Sequence, residues 1–235
     1  MALPELNTAR YSMEIPSTGQ TVTYRPYLVK EEKILMMAME TNDQKVIMQA
    51  TIDVIKSCVD DIEDVESLAM FDIETLFLAL RAKSVGEKID LKMKCEDEKC
   101  DIRTDVVIDF EDVDKPIVDT EQTKIMMTGD VGVLMRYPSV KTIGRFQGEN
   151  EGVEQAMSMI IACIDSIFDA DDVYDSDNES KASLVKFVDS LSSVQFMKLT
   201  DFFNTMPAVS TKINYKCACG RENEQELKGL QSFFT

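Results

Sequence analysis

Residues 87–110 read EKIDLKMKCEDEKCDIRTDVVIDF. Ile89, Leu91, Met93 and Cys95 alternate with charged residues, and after a short acidic turn Ile102, Thr104, Val106, Ile108 and Phe110 do the same. A period of two puts each set on one face of a strand. The stretch therefore predicts a β-hairpin whose tip carries Cys95 and Cys100.

Upstream the period changes. Residues 71–86, FDIETLFLALRAKSVG, place Ile73, Leu76, Phe77 and Leu80 on one helical face. Asp72 is the expected N-cap, Arg81 and Lys83 suit the negative end of the helix dipole, and Gly86 lies just beyond it. Residues 43–61 carry Val46, Ile47, Ala50, Val54, Ile55, Cys58 and Val59 at three- and four-residue spacings, which makes Cys58 a small core residue of a helix. Residues 11–32 alternate around a Ser-Thr-Gly turn and predict a short hairpin, with helix from about Lys30.

Downstream, EDVDKPIVD (111–119) reads as a linker, and IMMTGDVGVLMRYPSV (125–140) fits a strand or a pre-helical loop equally well. Residues 151–170, EGVEQAMSMIIACIDSIFDA, predict one helix throughout: Val153, Ala156, Met157, Ile160, Ile161, Ile164, Ile167 and Phe168 follow its period. Cys163 falls at the edge of that stripe and reads as structural. The acid run DADDVYDSDNES (169–180) lacks the central glycine of a calcium loop, and the twelfth position from Asp175 is Lys186, so it reads as a solvated helix-to-helix loop. Two shorter helices are expected near 180–191 and 193–204, with Pro207 beyond the second. In the last segment Ile213, Tyr215, Cys217 and Cys219 share one strand face.

Four of the six cysteines thus form two pairs, Cys95-x4-Cys100 and Cys217-x-Cys219, each at a hairpin tip. Four thiolates on two knuckles suit a structural metal site, zinc above all, held by Cys95, Cys100, Cys217 and Cys219. Gly220 would relieve crowding and turn backbone N–H groups toward sulfur. Unrelated surface thiols and redox-sensitive bridges are the alternatives. A catalytic ion would keep an open position beside a base such as Glu96.

The 235-residue chain has 43 acidic against 25 basic residues, a net charge of −18, which repels a nucleic-acid backbone. No apolar run approaches the roughly 20 residues of a membrane helix. The amino terminus has no signal-peptide layout, so the cytosol, where thiols stay reduced, is expected. Without histidine no Ser-His-Asp or Cys-His arrangement can form, and no phosphate-binding loop occurs. Fifteen methionines supply an adaptable apolar inventory.

The expected fold class is α+β: a mainly helical body with a small β-hairpin module carrying a four-cysteine, zinc-ribbon-like site. The segments are an N-terminal β segment (1–29), a first helical part (30–86), the cysteine-tipped hairpin (87–110), a second helical part (111–208), and a C-terminal cysteine-tipped segment (209–235) pairing with 87–110.

Three stretches in this order, YRPYLVKEEKILMMAME, FDIETLFLALRAKSVGEKIDLKMKC and INYKCACGRENEQELKGLQSFF, resemble the baseplate hub proteins of T4-like contractile-tailed bacteriophages. The resemblance spans roughly 24–234, is strongest in 74–95 and 213–234, and owes little to 111–180. It implies a non-enzymatic structural or assembly protein, present in the host cytoplasm during assembly or in the tail baseplate of the virion. Its partners would be other hub or wedge proteins, with self-association among the contacts allowed, and no nucleic acid or membrane. No catalytic residues come with it. RAKSVGE is either a helix end or a partner contact, and in GLQSFF Phe233 and Phe234 either pack on the core or anchor a neighbouring subunit. The rival functions are a zinc-stabilised cytosolic adaptor unrelated to phage tails and a metal-dependent hydrolase.

Overall fold

A computed structural model describes residues 7–146, 152–229 and 232. In chain order the elements are β1 (Tyr11–Glu14), β2 (Thr21–Tyr24), α1 (Val29–Glu40), α2 (Gln44–Cys58), α3 (Met70–Ser84), β3 (Lys88–Lys94) and β4 (Arg103–Asp109). There follow β5 (Lys124–Thr128), β6 (Val131–Met135), α4 (Val140–Phe146), α5 (Val153–Ala162), β7 (Ile164–Phe168) and β8 (Val173–Asp175). The chain ends with α6 (Lys181–Asp189), α7 (Ser193–Asn204), β9 (Ser210–Lys216) and β10 (Glu222–Lys228). They form two compact units, so the fold is mixed α+β. The first unit takes in the chain up to Val65, Phe71–Pro116 and the part from Ala208 onward; the second takes in Glu66–Met70 and Ile117–Pro207.

In the first unit β1 and β2 form the expected hairpin, with Tyr11 opposite Tyr24. Asp43 caps α2 by accepting from the Lys45 amide at 2.8 Å. Its stripe of Ala50, Val54, Ile55 and Cys58 is buried, whereas Val46 in the first turn is exposed. Ten of the 15 residues of α3 are buried, Leu78 and Ala79 as well as the expected face, so this helix is enclosed on all sides. Asp72 is not its N-cap: the helix already begins at Met70. The fully buried carboxylate instead accepts from the Ser17 amide at 2.9 Å and the Ser17 hydroxyl at 2.5 Å, tying the β1–β2 turn to α3. The carboxylate was spent on a tertiary partner that local sequence cannot show.

The hairpin over 87–110 forms as read, Lys88 opposite Asp109 through Lys94 opposite Arg103, with Ile89, Leu91 and Met93 buried. At the far end of the chain β9 pairs with β10 in a third two-stranded sheet, Ser210 opposite Lys228 through Lys216 opposite Glu222.

The second unit adds a four-stranded antiparallel sheet, in order β5-β6-β7-β8, to the helices expected there. Residues 125–140 resolve into the strand option, a hairpin of β5 and β6. The expected helix over 151–170 is corrected: it stops at Ala162, Cys163 turns the chain with φ −96° and ψ 1°, and Ile164–Phe168 run as β7. Ile164 and Ile167, three apart, fit the helical period and not a regular strand, but a register shift between Leu134 and Met135 keeps both against the core, and β7 has a strand on either side, Val133 opposite Ile167 and Tyr174 opposite it on the other flank. Two ladders and a β-branched fit outweigh one more helical turn. The acidic run after it likewise contains the strand β8, so it is not a helix-to-helix loop. The core beneath the sheet gathers Val133, Met135, Ile160, Ile164, Leu184, Leu199 and Phe202. Ser180 and Ser192 cap α6 and α7, the latter in a capping box with Gln195. Phe233 and Phe234 lie outside the described residues.

Candidate metal centre

The alternation that buries Ile89, Leu91 and Met93 carries Cys95 onto the same face at the end of β3. Cys100 closes the turn, its amide donating to the Asp97 carbonyl at 2.8 Å. In β9 the same logic buries Ile213, Tyr215 and Cys217. Cys219 departs from the expected strand face: it stands in the β9–β10 turn and is exposed. Gly220 makes that turn possible with φ +95°, a left-handed conformation that suits glycine. Its N–H goes to the Cys217 carbonyl at 2.8 Å rather than to a sulfur.

Both pairs belong to the first unit, and the structure brings them together. All four sulfurs lie within 4.8 Å of one another. Cys95 Sγ is 3.8 Å from Cys219 Sγ, and Cys100 Sγ is 3.8 Å from Cys217 Sγ. Four sulfurs about 2.3 Å from a central zinc would be separated by about 3.8 Å, whereas a disulfide needs about 2.05 Å. The four thiols are free. The donor set and spacing therefore fit a four-thiolate ion.

Three sulfurs also receive a backbone N–H from the residue two positions on: Cys95 from Asp97, Cys100 from Ile102 and Cys217 from Cys219. Such bonds stabilise a thiolate and fix its direction. At Cys217 the Cys219 amide, aided by neighbouring thiols, brings the pKa down to about 7. At Cys100 the Ile102 amide is outweighed by desolvation and the other three sulfurs, which push the thiol up to about 12. Cys95 is raised by desolvation and by the Cys219 and Cys217 sulfurs, against its Asp97 amide and the Cys100 thiol. Four adjacent sulfurs cannot all ionise without a cation among them.

Side chains that the motif reading passed over lock the two hairpins together. Asn223, 2% exposed, accepts from the Glu96 amide at 3.0 Å and from Cys95 Sγ at 3.5 Å, and donates to the Arg221 carbonyl at 3.2 Å. The Tyr215 hydroxyl and Gln225 Nε2 both donate to the Lys94 carbonyl. The available signal was a polar residue at a core-facing position of β10 beside the second cysteine pair. Glu96 is exposed on the turn. Cys58 and Cys163 are buried as expected of core residues, and desolvation pushes their thiols up to about 11 and about 12.

Among the described residues no helix is long and apolar enough to cross a membrane. Comparison with curated proteins and with solved structures gives no match. A family model described as T4 bacteriophage base plate protein matches residues 8–235, nearly the whole chain. With the cysteine-tipped hairpin and the C-terminal segment inside that match, the chain belongs to the T4 bacteriophage base plate protein family.

Proposed function

We propose that the protein is a non-enzymatic structural or assembly component of the central hub of a phage tail baseplate, stabilised by a zinc ion on Cys95, Cys100, Cys217 and Cys219. The observation that carries the metal is the pair of 3.8 Å sulfur separations between hairpins distant in sequence. The ion would complete a zinc-ribbon-like clasp, the fourth sulfur standing where a hydrolytic metal keeps water. Family membership supports contacts with other baseplate proteins, and the hub reading rests on the resemblance of 74–95 and 213–234. Exposed Met36, Met37 and Met39 on α1 suit adaptable contacts made in the host cytoplasm during assembly.

Native mass spectrometry of protein purified without chelator tests the metal. A mass excess of one zinc per chain, lost on denaturation, is expected; no excess with all six thiols free overturns it. Cys217→Ser should lower both metal content and stability, because structural metal binding is folding free energy. For the hub, the tagged chain expressed during infection should co-purify with hub intermediates. Recovery with wedge intermediates alone would overturn that placement.

A further inference from the structure

The sheet of the second unit ends before its core does. Val133, Ile167 and Tyr174 are successive cross-strand partners on one sheet face. Burial fades along that row: Val133 is fully buried, Ile167 half-buried and Tyr174 42% exposed. On the other side α6 continues past the edge with Leu184 and Phe187, leaving a largely apolar groove of about 380 Å³. β8, the strand at this edge, is three residues long, and its Val173 is 72% exposed. An antiparallel edge strand directs alternate N–H and C=O groups away from the sheet.

The rim is strongly acidic. Asp169 and Glu179 line the groove, and Asp171, Asp172, Asp175 and Asp177 stand exposed beside it. Lys124 lies 5.2 Å over the Phe168 ring at the groove wall. Short length and acidic flanks protect an edge against pairing with itself: two β8 strands side by side would bring both sets of aspartates together. The same charges attract a cationic strand, and the groove offers it an apolar seat.

We infer that the β8 edge and its groove form a docking site for an extended segment of a partner protein, carrying a bulky apolar residue flanked by Lys or Arg. The segment adds as a fifth antiparallel or parallel strand. Its apolar side chain enters between Tyr174 and Phe187, completing the layer over α6. Its cations face the aspartates.

Fluorescence anisotropy with the full chain tests this. The probe is a labelled acetyl-Lys-Lys-Val-Thr-Phe-Thr-Lys-Lys-amide; the control has Glu for every Lys. The lysine peptide should bind, lose affinity as salt screens the rim, and bind about tenfold more weakly to Tyr174→Ala. The double variant Asp171→Lys/Asp172→Lys, whose side chains are exposed, should narrow the preference for the lysine peptide over the glutamate peptide. Equal binding of both peptides, no anisotropy change with either, or a preference unmoved by the charge reversal overturns the proposal. So does a dimer of the unliganded chain that Val173→Lys abolishes, since a second copy would then be the occupant.

Discussion

Replacing Glu31 with glutamine should weaken the first unit in a way that fades as the solution is acidified. Glu31 is the third residue of α1 yet only 2% exposed. Its carboxylate accepts from the Leu28 amide at 2.8 Å, Arg25 Nη2 at 2.9 Å and Ser57 Oγ at 2.9 Å. Leu28 cannot cap the helix with its side chain, so Glu31 satisfies the N-cap amide while joining α1 to the end of α2 through Ser57. Burial opposes the charged form, but the three donors outweigh it and lower the carboxyl from 4.5 to about 2. That difference corresponds to about 3 kcal/mol of stability. Glutamine keeps one acceptor oxygen, so a loss of about 2 kcal/mol is expected at pH 7, or about 4–8 °C in Tm. The sign follows from the lowered pKa. The contribution is complete above the unfolded carboxyl value and is lost as pH falls from 4.5 through 2. Roughly a quarter is gone at pH 4 and over half at pH 3. Urea unfolding followed by far-UV circular dichroism, at a series of pH values, measures the gap between wild type and Glu31→Gln. The exposed Glu40→Gln serves as the control. A gap that stays constant from pH 7 to pH 3, or is absent at pH 7, would refute the reasoning.

Other substitutions separate metal from core and test the reassigned strand. Cys58→Ala and Cys163→Ala should each cost about 1 kcal/mol by thermal unfolding while leaving metal content unchanged, since both thiols are buried away from the cluster. Loss of metal in either variant would contradict that separation. Asn223→Ala strands the Glu96 amide and should cost about 1–3 kcal/mol, with faster metal loss to a chelator; unchanged release would show that the side chain does not hold the knuckle. Gly132 lies opposite Phe168, and a Cβ there would come 2.3 Å from the ring. Gly132→Ala should therefore displace Phe168 and destabilise the sheet by about 1–3 kcal/mol. A variant as stable as wild type would argue against β7 lying beside β6.

Local chemistry was legible without coordinates wherever neighbours in sequence are neighbours in space. The alternation at Ile89, Leu91, Met93 and Cys95 fixes which face of β3 is buried, because a pleated strand has a period of two. The stripe of α2 was equally readable, since its core positions recur within one helix. The cysteine spacings showed two knuckles, and the chemistry of four thiols suggested a common ion. That the knuckles meet was decided by tertiary structure, through Asn223, Tyr215 and Gln225 reaching across from the C-terminal hairpin. Asp72 shows the same limit: a residue with the chemistry of a cap was claimed by Ser17, far away in sequence. Ile164–Phe168 show it most clearly. Ile164, Ile167 and Phe168 continue the helical period, and only the strands on either side override it, because a ladder's hydrogen bonds come from partners that a local window never contains.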